Sequence, residues 1–144
     1  MNKNLYKYYI LKDKHLVIEI LWGDFTLTDF LNLKKSESED PDFDPNFDSI
    51  LDIRHVENAF SKEIRDDLEN YLGIIKSIQH VTQKRRSAVV TERPAQVAGI
   101  TWYQMIDDRG IDYEVFSTLK AAIKWLGIGE IDLKNIDPDL TDIQ

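Results

Sequence analysis

The sequence contains no cysteine, which excludes disulfides, a thiolate nucleophile, and Cys-ligated zinc or iron–sulfur clusters. Positive charge is in short supply. Against 26 Asp and Glu there are 18 Lys and Arg, a net charge of −8. Such a chain is poorly suited to nonspecific binding of nucleic acid or of an anionic membrane surface. Apolar runs extend only a few residues, against the roughly 20 needed to span a bilayer. Residues 1–5 carry no apolar signal core and lead directly into a Tyr-rich stretch, so the expectation is a soluble, cytoplasmic protein without integral membrane association.

Sequence signals for catalysis and cofactors are also missing. The three histidines, His15, His55 and His80, show no H-x-H or H-E-x-x-H spacing, so no metal site is expected. The acidic stretch 40–48 superficially resembles a calcium loop but lacks the Gly and bidentate Glu of an EF-hand. There is no G-x-S-x-G, no G-x-G-x-x-G and no Gly-rich Lys-Ser/Thr loop, so neither a nucleophilic serine nor a nucleotide cofactor is expected. The cluster Lys84-Arg85-Arg86 is too short for a nucleic-acid footprint.

The 144 residues suffice for one compact domain. A strand at residues 6–11 and a polar turn at 12–14 precede a nearly continuous apolar strand at 15–22, which predicts an antiparallel hairpin. Thr26 with Asp29 reads as the N-cap of a helix presenting Leu27, Phe30, Leu31 and Lys34, ending by Asp40-Pro41. An acidic loop at 37–48 leads to a strand at 49–53, and residues 54–60 read as a loop. Ser61 is placed to cap a long helix carrying Ile64, Leu68, Tyr71, Leu72, Ile75 and Ile78 at helical spacing. Gly73 inside that helix suggests close packing against a neighbour, and the basic cluster after it suits a helix C-terminus. A short buried strand at 87–91 precedes Pro94, a first-turn residue of a helix whose face is marked by Val97, Ile100, Thr101, Gln104 and Met105. The alternating stretch 112–116 reads as an edge strand. Ser117 then opens a last helix, with Gly127 just past its end.

The resulting order, β-β-α-β-α-β-α-β-α, predicts a single-domain α/β fold with a mostly parallel sheet and one antiparallel edge strand, spanning residues 1–127. Residues 128–144 form an acidic C-terminal tail that either lies on the body or is disordered.

Three stretches carry a family resemblance: the segment 18–26 (IEILWGDFT), the strand 49–56 (SILDIRHV) and the strand-to-helix passage 115–126 (VFSTLKAAIKWL). In this order and length the chain resembles the SpoIIAA-like branch of the STAS superfamily, the bacterial anti-sigma-factor antagonists and their relatives. The resemblance covers roughly residues 6–126 and implies a non-enzymatic regulatory or protein-interaction domain, with a protein partner or a homodimer. Related folds of the wider group hold lipids, which implies a small apolar ligand as the alternative. In the antagonists a serine at the start of the helix after the third strand is phosphorylated. Ser61 falls at the matching place, but Phe60 and Lys62-Glu63 replace the usual neighbours. A phosphate there would suit the helix N-terminus, but a plain N-cap is the favoured reading of the serine, because serine caps are common.

Ligands of open parallel sheets bind beyond the strand carboxyl ends. Those ends supply Arg54, His55, Glu92 and Arg93, with Asp24, Glu57, Asn58 and Ser117 nearby. The arginines suit an anionic ligand and His55 suits proton transfer, unless the arginines pair with Asp24, Glu57 or Glu92 on the rim. Trp102 and Tyr103 are adjacent in one helix and cannot share a narrow face. Together with Trp125 they are candidates for an interaction surface. Half of the net charge, −4, lies after Ile128. The folded body is therefore less hostile to an anion than the total suggests.

Overall fold

A computed structural model describes residues 5–58 and 62–142. The strands are β1 (Tyr6–Leu11), β2 (Leu16–Gly23), β3 (Asp48–Val56), β4 (Arg85–Val90) and β5 (Ile111–Phe116). The helices are α1 (Leu27–Glu39), α2 (Lys62–Ile78), α3 (Pro94–Ile106), α4 (Leu119–Leu126) and α5 (Leu133–Ile136). The sheet runs β1-β2-β3-β4-β5 in chain order. β1 is antiparallel to β2, and β2 to β5 are mutually parallel. The chain is thus α/β with an antiparallel edge strand.

Local signals account for most element boundaries. Thr26 caps α1 with a reciprocal capping box. Its hydroxyl accepts from Asp29 N at 3.1 Å, while the Asp29 carboxylate accepts from Thr26 N at 2.8 Å. Pro94 opens α3, and Gly127 ends α4 at φ 65°, a conformation that favours glycine. His15 lies outside β2, at φ 50°, and stacks on Phe47 at 5.2 Å between ring centroids.

Several expectations are corrected. β3 continues through Arg54, His55 and Val56, because Gly23 and Trp22 of β2 still pair with its end. α4 is capped by Thr118, whose hydroxyl accepts from Ala121 N, and not by Ser117. A Cβ on Gly73 would meet nothing within 4 Å, so close packing is not its reason. α3 turns Gln96, Gly99, Ile100 and Tyr103 inward, while Val97 and Met105 point to solvent. That helix is nearly uniformly apolar, so its pattern does not fix its phase. The basic cluster does not serve α2. Arg85 and Arg86 begin β4, and Arg86 donates to the last carbonyls of α4, Trp125 O at 2.9 Å and Leu126 O at 2.8 Å. Ser61 lies outside the described residues.

Because each parallel strand is added on the same side of the last, right-handed crossovers place α1, α2 and α3 on one face. Leu33, Leu68, Ile75 and Ile100 pack there on Leu21, Leu51 and Val89. The opposite face carries Leu16, Ile18, Ile20, Ile50, Ala88 and Val90. It is covered by α4 and by Leu133 and Leu140 of the C-terminal segment. The acidic tail therefore lies on the body through residue 142. Asp137 is buried, accepting from Tyr9 OH at 2.6 Å and pairing with Lys7 at 2.7 Å. Asp142 accepts from Leu119 N at 2.6 Å and Lys120 N at 3.1 Å, so α4 has an acid at its N-terminus and Arg86 at its C-terminus.

Leu140 is 1% exposed. Leu140→Ala is expected to lower unfolding free energy by about 2–5 kcal/mol, as for buried leucines elsewhere. Urea denaturation of the full chain checks this; a change within experimental error would show that the segment does not contribute to the core.

Candidate functional site

The carboxyl ends of β3 and β4 bring Arg54, Glu92 and Arg93 into one neighbourhood, but not onto a common ligand. Arg54 is buried. Its Nε and Nη2 donate to the two oxygens of Asp52, at 2.9 and 2.8 Å, and Nη1 donates to Thr141 O at 2.7 Å. The partner is thus a buried strand acid, and none of the rim acids Asp24, Glu57 or Glu92. Asp142 Oδ1 lies 3.7 Å from Nη1. An anion does sit where Arg54 meets the α4 N-terminus, and it is the chain's own carboxylate.

Arg93 is exposed and donates through Nη2 to Val56 O. His55 is exposed on the strand between buried Arg54 and Val56, and it lines none of the principal concavities. Glu92 is exposed, and its charge acts on Arg54. The residue that organises this end is Gln96, fully buried. Its Nε2 donates to Arg54 O and Val56 O, both at 3.1 Å. Its Oε1 accepts from Glu92 N at 2.7 Å and Arg93 N at 3.1 Å. One side chain therefore ties the end of β3 to the turn entering α3. The available signal was a Gln at the third helical position, where capping boxes place Glu or Gln.

A second polar group lies between the sheet and the three helices. Glu19 points from β2 into the helix layer, and Lys34 Nζ of α1 meets its Oε2 at 2.6 Å. Glu37, one turn on, is 3.6 Å from Lys34. Gln79, just after α2, donates to Glu37 Oε1 at 3.1 Å and to Lys34 O at 2.9 Å. All four are buried. Burial opposes ionisation of Glu19, but the Lys34 ammonium beside it holds its carboxyl down at about 2. Burial, and then the charge of Glu19, push Glu37 well above the usual carboxylate range. Its Oε2 has no donor facing it. A proton there turns an orphan acceptor into a donor toward Glu19. Next to this group, Arg109 donates to both oxygens of Asp107, at 2.9 and 2.8 Å, and to Tyr103 OH at 3.0 Å. Tyr113 OH also donates to Asp107. A charge inside an apolar strand at Glu19 and the i, i+3 pair Lys34 and Glu37 were the sequence signs of this cluster.

Of the aromatic candidates, Trp102 is 41% exposed. Tyr103 is buried, edge-on to Phe30 and Tyr113, and cannot belong to a surface. Adjacent helix residues point about 100° apart, so burying Tyr103 turns Trp102 outward. Trp125 is half-buried against Phe116, with the Arg86 guanidinium over its ring at 5.2 Å.

The apolar cavity among Leu21, Phe30, Leu51, Leu68, Ile100 and Tyr103 measures about 20 Å³. This is the volume of about one water probe, far short of the sizeable cavity that an apolar ligand beneath α3 requires. Among the described residues no group of three or more His, Cys, Asp or Glu is placed to hold a metal ion. No helix among them is long and apolar enough to cross a membrane. No family model, no curated protein and no solved structure matches the chain.

The buried acids give a pH dependence with a definite sign. As pH rises through the ordinary Glu range near 4.5, the unfolded chain releases the Glu37 proton while the folded protein keeps it. Stability drawn from Glu37 is thus full below that range and falls above it. Glu37→Gln preserves the acceptor for Gln79 and removes the titration. The variant is expected to match the parent near pH 4 and to become progressively more stable than it toward pH 8. Thermal melts across that range check this, and a gap that is constant with pH would contradict it.

Proposed function

We propose that the protein is a non-enzymatic interaction domain of the SpoIIAA-like, STAS type that self-associates through the solvent face of α3. The fold-level support is the opening hairpin, the parallel strands added in chain order, and the helix between each pair. The functional reading rests on one observation. In a chain with 31% charged residues, the 13 residues of α3 include none, and its outer face carries Val97, Trp102 and Met105 at 40%, 41% and 76% exposure. At 100° per residue, Met105 points away from the core with Val97 and Trp102 on either side. Ala98 and Thr101 lie between them.

A second copy fits this face best. Two chains each carrying −8 repel wherever acidic surfaces meet, and α3 is where they can approach without that penalty. An uncharged helix face is also self-complementary under a two-fold axis. The neighbouring β5 edge is a poor alternative. Its exposed Asp112 and Glu114 would face like charges across an antiparallel β5–β5 pairing. A helix of this length offers a strip only about 20 Å long, so the association is weak and concentration-dependent.

Multi-angle light scattering over a concentration series tests the proposal. The parent protein is expected to shift toward dimer as concentration rises. The double variant Trp102→Glu, Met105→Glu, altered only at exposed sites, is expected to remain monomeric with an unchanged circular dichroism spectrum. A parent protein that stays monomeric throughout, or a variant that dimerises equally, overturns it.

A further inference from the structure

A broad concavity lies away from both the strand ends and α3. It is an open groove of about 720 Å³ between α4 and the C-terminal segment. Leu119, Leu133 and Leu140 form its buried floor, flanked by half-buried Ile123 and Ile131. Lys120 and Lys124, one turn apart on α4, and Lys134 of α5 line it as well. The volume falls within the range of small-molecule sites, and over the apolar floor the lining carries three lysines and three acids.

The charges around the groove are unequally engaged. None of the three lysines forms an ion pair among the described residues. Two of the three acids accept hydrogen bonds, but among the described residues only Asp142 has helix N-terminal donors and a nearby cation to offset its charge. Asp142 accepts from the α4 N-terminus and lies near Arg54, and Asp132 accepts from Asn135 at 2.6 Å. Glu130 is the remaining acid in the lining. Three lysines without an ion pair therefore line the groove, against two carboxylates, Glu130 and Asp132, that among the described residues have neither an ion pair nor a hydrogen bond from a helix N-terminus.

We propose that this groove binds an amphipathic monocarboxylate, an apolar body with one carboxylate head. The body lies on Leu119, Ile123, Leu133 and Leu140, and the head is reached by Lys120, Lys124 and Lys134. Lysines suit a single carboxylate because their long stems let each ammonium follow the head. The groove is open to water, so specificity comes from the sign of the head group and affinity from the body, by about fourfold for each methylene withdrawn from water.

Amide NMR titration of the full chain with 4-phenylbutyrate tests this, with 4-phenylbutylamine and 4-phenylbutan-1-ol as matched heads on the same body. Phenylbutyrate is expected to bind most tightly and to shift the amides of Lys120, Ile123, Lys124 and Leu133. Lys120→Glu and Lys124→Glu, both at exposed positions, are each expected to weaken it by about two- to fivefold without weakening the alcohol. Equal or tighter binding of the amine, shifts centred on the interior around Phe30 and Leu51, charge reversals without effect, or no saturable binding would each overturn the proposal. Self-association through α3 is read separately by scattering and stands or falls independently.

Discussion

A sheet whose parallel strands are added one after another in the same direction has an uneven cover. Right-handed crossovers deliver all three connecting helices to one face. The other face is just as apolar, with Leu16, Ile18, Ile20, Ile50, Ala88 and Val90 in its core. Among the described residues its cover comes from the chain beyond the last strand: the eight residues of α4 and the segment that returns across it. The rest of the structure depends on this imbalance. The C-terminal residues must pack, so their leucines are buried. Their acids are placed where backbone donors and cations can receive them: Asp137 on Tyr9 and Lys7, Asp142 on the α4 N-terminus. The segment's charge thus serves as a set of attachment points, and Arg54, a residue type suited to gripping a ligand, holds the segment in place through Thr141 O.

On the helix-covered face the constraint is of another kind. Glu19 projects into a dry layer and would be untenable there alone. Lys34 answers it at 2.6 Å, and Glu37 and Gln79 complete the group. With two acids around one ammonium, ionising both would leave an unbalanced buried charge, so Glu37 keeps its proton while Glu19 gives up its own. The group fixes the rotation and depth of α1 against β2, because a slip of one residue would break the Lys34 pair and bury an isolated charge.

These two devices use the polar groups that their residue types alone would assign to chemistry. Arg54, Asp52 and Gln96 at the strand ends are satisfied by one another and by the backbone. Among the described residues, two features at the surface are left without a partner in the fold: an uncharged helix face on one side of the sheet and a lysine-lined groove on the other.

The hairpin, the Thr26 capping box, the start of α3 at Pro94 and the Gly127 terminus were legible because each depends on residues close in sequence. Turn geometry, missing N–H groups and left-handed backbone are local matters. The inward face of α2 was legible because its apolar spacing is strongly one-sided. The phase of α3 was not, since a helix apolar on every side gives no direction until neighbours choose one, and the choice buried Tyr103 and exposed Trp102. The partner of Arg54 in the tail lies 87 residues away in sequence, and Arg86 caps a helix 40 residues on. Lys120, Lys124 and Lys134 line one groove because the tail folds back. Short-range sequence thus set most element boundaries and made both sheet faces apolar. Which charges meet was left to the tertiary structure, because pairing depends on the direction in which strands are added and on the side to which each connection is carried.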